Sequence, residues 1–169
     1  MFNRQANIHR FVRLLITARL MWHTSWKYAD LTLNQILRQA RLEWHGVRLG
    51  QPDWGSPTGA ARLGQPDWGH DSHSIAFTAW SLSGGIVFHF MINVYSEQLT
   101  FELPPPPGLP GSCWRRWLDT SYPSPDDIVP WDEAQTFEGI TYDLPPYSLA
   151  ALLTSDKLLE DESPRFNTV

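Results

Sequence analysis

The feature that most limits what this chain can become is a change of hydrophobic period near residue 42. Beyond it, apolar residues recur at every second position. Ile75, Phe77 and Ala79 alternate with Ser74, Ala76 and Thr78, and Ile86, Phe88, Phe90, Ile92 and Val94 form a second such series. Leu99, Phe101 and Leu103 form a third. Successive side chains of a strand point to opposite faces, so this pattern predicts strands rather than helices. The turn Ser83-Gly84-Gly85 between the first two series is a hairpin signal. Pro104 to Pro107 stop the third series, because proline has no N–H to give a ladder. A first strand is expected at 42–48, where Leu42 and Trp44 are in phase and Val47 is not, and a further one at 114–118. Two more are expected near 139–143 and 147–153, after a long Pro-, Asp- and Glu-rich loop at 120–138. Several short strands with turn signals predict a mainly β fold, an antiparallel β-sandwich over residues 42–153.

Ahead of the period change the pattern is helical. Ile8, Phe11, Val12 and Leu15 fall at i, i+3, i+4 and i+7, predicting a helix over 7–20, with Asn7 as its cap. Thr32 and Gln35 have capping-box spacing before Leu33, Ile36, Leu37 and Ala40, predicting a second helix over 32–40. Residues 1–41 thus read as a helical lead that cannot bury its own faces, so the first helix is expected to be loosely docked. Residues 154–169 read as a charged, disordered tail. At the joint between helix and strand, Arg48-Leu49-Gly50-Gln51-Pro52-Asp53-Trp54-Gly55 is repeated letter for letter as residues 62–69. Two copies are too few for a solenoid, which needs at least three units. The repeat reads as a tandem duplication tolerated in a surface loop, 48–69.

Composition narrows the function classes. The chain has 169 residues, 42% hydrophobic, enough for one domain with a core. Its net charge of −5 argues against a nucleic-acid partner. No apolar run approaches the length of a membrane span, and Arg13 interrupts any signal-peptide core, so a soluble, cytoplasmic protein with no membrane partner is expected. The single cysteine, Cys113, excludes an internal disulfide framework and fits a reducing compartment. The nine tryptophans are scattered, which favours cores and interfaces over a sugar-stacking cluster.

Each candidate for chemistry has a plainer reading beside it. His70-Asp71-Ser72-His73 offers two histidines beside an aspartate, but zinc needs three or four ligands and no second cluster follows. Asp71, His73 and Ser74 contain the residue types of a hydrolase triad without a nucleophile elbow. Asp126-Asp127 and Asp132-Glu133 are paired carboxylates, yet glycoside hydrolysis needs two carboxyl groups facing each other across a bond on rigid elements. A solvated acidic loop accounts for them. Gly84-Gly85 is a turn and not a phosphate-binding fingerprint. His89 inside an apolar strand reads as a satisfied sheet residue, and Cys113 lacks a neighbouring base. The residues by themselves supply no catalytic, cofactor-binding or metal site.

The order of segments carries more. Asn7-Ile8-His9-Arg10-Phe11-Val12-Arg13, Trp44-His45-Gly46-Val47, Gln65-Pro66-Asp67-Trp68, Ser72-His73-Ser74, Met91-Ile92-Asn93-Val94-Tyr95, Leu99-Thr100-Phe101-Glu102-Leu103-Pro104, Trp117-Leu118-Asp119-Thr120 and Ser124-Pro125-Asp126-Asp127-Ile128 follow one another. This succession resembles the C-terminal end of bacterial glycogen debranching enzymes of the isoamylase type, in the α-amylase superfamily of glycoside hydrolases. The resemblance runs from about residue 7 to 153. It implies that the first helix is the last helix of a (β/α)8 catalytic barrel and that the rest is the β-sandwich behind it. It also implies a parent activity, hydrolysis of α-1,6 branch linkages by a retaining mechanism. The catalytic aspartate and glutamate of that mechanism belong to barrel strands, and no residue here matches them. Pro130-Trp131-Asp132-Glu133 is superficially similar to the acid/base segment but falls in the terminal domain. Ser96-Glu97-Gln98 and Tyr147 depart from the family pattern, as does the second copy of the octapeptide. The expectations are therefore a fragment inactive alone, an accessory that docks on a separately encoded barrel, or a glucan-binding module using tryptophans such as Trp54 or Trp68.

Overall fold

The computed structural model describes residues 2–23, 32–49, 73–81, 85–108 and 111–155. Beyond Arg48 and Leu49, the duplicated loop lies outside the described residues, together with Trp54, Trp68, His70, Asp71 and the tail from 156.

Two helices lead. Helix α1, Phe2–His23, has 22 residues, longer at both ends than its apolar repeat predicts. It contains neither Gly nor Pro and is rich in Leu, Arg and Ala, so intrinsic propensity extends it. Helix α2, Leu33–Gln39, carries the predicted capping box. The Thr32 N–H donates to Gln35 Oε1 at 2.8 Å, and the Gln35 N–H donates back to Thr32 Oγ1 at 3.4 Å.

Eight strands follow: β1 Arg41–His45, β2 Ser74–Trp80, β3 Ile86–Asn93, β4 Leu99–Glu102, β5 Trp114–Asp119, β6 Gln135–Phe137, β7 Thr141–Leu144 and β8 Ser148–Ser155. Six of them form one antiparallel sheet in the order β1-β2-β3-β8-β5-β6, and β4 pairs with β7 in a second, two-stranded sheet. The expected 120–138 loop holds a 3-10 turn, Trp131–Glu133, and the short strand β6. Gln135, Thr136 and Phe137 give a three-residue strand no usable alternation, so its pairing with β5 is decided by proximity.

The centre of the large sheet is buried on both faces. On one, Ala76, Val87, Met91, Trp114, Ala150 and Leu152 meet Phe101, Leu103, Tyr142 and Leu144 of the small sheet and its flanks. This is the sandwich interface. The small layer gains a third segment where the Glu102 N–H donates to the Val47 carbonyl. On the other face, Phe88, Trp117, Leu118, Ala151 and Leu153 pack with Phe11, Leu14, Leu15 and Ala18 of α1 and with Trp131. The register explains the division: Phe88 pairs with Leu153 and Phe90 with Ala151 on the helix side, Met91 with Ala150 and His89 with Leu152 on the sandwich side. A register shift between Arg116 and Leu118 inserts Trp117 as an extra residue, so both Trp117 and Leu118 serve the helix-side core.

Candidate functional site

The part of the molecule with both a built seat and an exposed apolar side is helix α1. The single stripe expected from Ile8, Phe11, Val12 and Leu15 is divided in the structure. Phe11, Leu14, Leu15 and Ala18 turn to the sheet, whereas Ile8, Val12 and Ile16 are exposed at 56%, 45% and 53%. The last three recur at four-residue spacing, which keeps them on one side of a helix. A polar latch fixes the helix. Arg10 Nε donates to Ser124 Oγ at 3.2 Å, Nη1 donates to the Ile128 carbonyl at 2.8 Å, and Nη2 pairs with Asp127 Oδ1. Asp127 Oδ1 also accepts the Ile128 N–H at 3.0 Å. The first helix is thus clamped by a planar cation that meets three acceptors from one loop, firmer than an apolar stripe alone provides.

The latch settles what one of the candidate carboxylates does. Asp127 anchors α1, and its neighbour Asp126 is exposed. Asp132 and Glu133 lie exposed in the 3-10 turn, where the residue doing the packing is Trp131, 5.9 Å from the Phe88 ring and 6.3 Å from the Trp117 ring. Of the four carboxylates, Asp127 is the one that holds the helix, and the packing of the turn falls to Trp131. His73 is exposed and its ring lies 5.8 Å from that of Tyr95. Ser74 begins β2 opposite Asn93, and the other members of the proposed His/Asp cluster fall outside the described residues. Among the described residues no three of His, Cys, Asp and Glu are grouped to hold a metal ion.

Two buried polar groups tie the structure together, one across three strands of the large sheet and the other between the two sheets. His89 Nδ1 and His45 Nε2 both bond Thr78 Oγ1, at 3.0 and 2.9 Å. The hydroxyl has one proton to give, so at least one of the two imidazoles must donate to it. Burial pushes the His89 pKa down to about 3, with the nearby His45 adding to the shift, and burial lowers His45 as well. His89 is a satisfied sheet residue at Nδ1, as its apolar surroundings predict, while its Nε2 lacks a partner. The second group, Asp119 with Tyr142, escaped sequence reasoning. Asp119 is fully buried at the end of β5; its Oδ2 accepts the Tyr142 hydroxyl at 2.5 Å, and Oδ1 accepts the N–H and hydroxyl of Ser121 at 2.9 and 2.6 Å. Burial raises the Tyr142 pKa, and the Asp119 bond and charge raise it further. The pair fastens the large sheet to the small one. The local signal was the Asp-x-Ser turn of residues 119–121; the tyrosine on another strand had none.

The fold defines a mainly antiparallel, β-sandwich-like domain with a helix on its outer face. In sequence, a stretch of 78 residues is 36% identical to Isoamylase 3, chloroplastic, of Oryza sativa subsp. japonica, covering 46% of this chain and 10% of that protein. The relationship is isoamylase-like, and the match spans about a tenth of the relative's length. No family model matches the chain. No helix among the described residues is long and apolar enough to cross a membrane.

Proposed function

We propose that this chain is the carboxy-terminal part of a glycogen debranching enzyme of the isoamylase type, inactive alone. The parent reaction is hydrolysis of α-1,6-glucosidic branch linkages, on catalytic carboxylates that this chain does not carry. The observation that bears the reading is the 36% identity with an isoamylase over 78 residues, set beside a β-sandwich-like domain. The helix supports it. The outer stripe Ile8, Val12 and Ile16 has the apolar character of a surface made to be covered, and a (β/α)8 barrel is the body that would cover it. The same stripe favours a second reading, an accessory subunit docking on a separately encoded barrel. A single thiol, Cys113, fits a cytoplasmic place of action.

The test has two arms. The purified chain should release no reducing ends from glycogen or a branched dextrin; clear turnover would overturn the fragment reading. Co-expression with an isoamylase-type barrel shorn of its own terminal domain should give a complex. Replacing Ile8, Val12 and Ile16 together by Lys should abolish that complex while the chain stays folded. A coding barrel immediately upstream of Met1, interrupted by a stop or frameshift, separates the fragment from the accessory.

A further inference from the structure

Helix α1 carries charge of one sign. Residues 2–23 contain Arg4, Arg10, Arg13 and Arg19 and neither Asp nor Glu, although the chain as a whole has a net charge of −5. Arg10 is occupied by the latch to Ser124, Asp127 and Ile128. Arg4 and Arg13 are exposed, and among the described residues neither has an ion-pair partner. The helix fixes where they stand. At 3.6 residues per turn, a step of four residues advances about one turn and stays on one side. Arg4 therefore heads the row Ile8, Val12 and Ile16, one turn ahead of Ile8. Arg13 lies about 100° around the helix from Val12, on the side away from the seated Phe11, Leu15 and Ala18. The open side of α1 is thus a narrow apolar row headed by one unpaired guanidinium and bordered by a second.

The charges select among occupants. A second copy of α1 fits poorly. Packed antiparallel about Val12, two such rows bring Arg13 beside its counterpart; packed parallel, they bring Arg4 against its counterpart. Like charges so placed oppose association. An anionic lipid surface fits no better. The net charge of the chain is negative, and exposed Asp126 stands next to the latch residue Asp127. Three apolar side chains also give little area to insert into a bilayer. A protein surface with carboxylates of its own meets neither objection.

We propose that the open side of α1 docks on a protein surface that combines an apolar groove with carboxylates at its head and along one edge, where they meet Arg4 and Arg13. The choice of a protein partner rests on the docking proposed above, whereas the charge pattern comes from α1 alone. A guanidinium presents a planar fork that matches a carboxylate. Such pairs at a rim steer the encounter and fix its register more than they add affinity, and salt screens them. Register is what the apolar row lacks. Ile8 and Ile16 are symmetric about Val12, so a groove lined only with apolar side chains could take the row in either direction. Carboxylates opposite Arg4 and Arg13 admit one direction and penalise the other.

Titration of the full chain into an isoamylase-type barrel lacking its own terminal domain tests this, at about 0.05 M and about 0.5 M NaCl. The complex should weaken about tenfold across that range. Arg4→Glu with Arg13→Glu should weaken it at least about tenfold at the lower salt, with added salt now restoring part of the binding. Arg4→Gln with Arg13→Gln should give a smaller loss and little salt dependence. Both residues are exposed, and Arg4→Glu suits the positive end of a helix, so melting temperatures should stay near that of the wild type. A complex whose affinity is indifferent to salt and to both double variants overturns the proposal and leaves the debranching reading standing. No complex at all overturns both. Binding of the wild-type chain to phosphatidylglycerol vesicles, or a dimer in sedimentation, also overturns it if Val12→Lys abolishes that association, since the face then has another occupant.

Discussion

The centre of the large sheet and helix α1 are both apolar, yet the structure uses them in opposite ways. Strands β3 and β8 are covered on both faces, and Met91, Ala150, Ala151, Leu152 and Leu153 are all fully buried. In α1 the described side chains include one buried residue, Ala18, and the stripe Ile8, Val12 and Ile16 stays open. A central strand finds both partners within this chain. The helix finds one, and its second apolar side is left exposed. Hydrophobic character in a sequence therefore tells where burial is wanted, and the topology tells whether the chain itself provides it.

The contrast can be broken most sharply at the sheet centre. Phe88 is buried against Trp117 and Trp131, with ring centroids 5.4 and 5.9 Å away. Phe88→Ala should cost about 3–5 kcal/mol in urea unfolding, a large part of a domain's margin. If it costs less than about 1 kcal/mol, the double-sided core is not the source of stability.

The next effect is set by pH. The unfolded chain protonates His89 near 6.5, whereas the folded chain keeps it neutral to about 3 because the ring is buried. Stability from this group is full above pH 6.5 and is lost as pH falls towards 3, since the unfolded state binds the proton first. Between pH 7 and pH 5 the loss should be about 2 kcal/mol. Urea midpoints at the two pH values check this, and in His89→Leu the histidine's share should vanish. An equal pH response in that variant would assign the effect elsewhere.

The latch comes third. Arg10→Ala leaves Asp127 half-buried without its cation and should cost about 1–3 kcal/mol. The loss should be accompanied by faster amide exchange in α1 and little change in β3 and β8. Uniform acceleration across the sheet would show that helix and sheet unfold as one unit. Smallest is Val12→Lys, on the open stripe. In the isolated chain it should move stability by no more than about 0.5 kcal/mol. A larger loss would mean that the stripe already has a partner, such as a second copy of the chain, which sedimentation would detect.

Much of the fold was legible because it is local. The period-two runs located β2, β3 and β4 within a residue or two, and the prolines marked the end of β4, whose flank then receives the Trp114 indole N–H at the Pro104 carbonyl, 2.8 Å. Thr32 and Gln35 spelled out a cap that forms as read. Strand β6 was not legible, since three residues carry no period. Nor was the site. Arg10 was one of several arginines on a helix, and its acceptors lie over a hundred residues away.

By itself, then, the sequence determined the elements: where the chain is helical, where it alternates, and where it must turn. Hydrogen-bond patterns, side-chain period and proline's missing donor act over a few residues and leave a readable trace. The tertiary structure decided which face of each element is used. It lodged β8 between β3 and β5, sent β4 out to pair with β7, divided α1 into a seated side and an open one, and set Asp119 against Tyr142. Those outcomes depend on contacts between residues far apart in the chain, where shape and burial are resolved together and no single segment holds the answer.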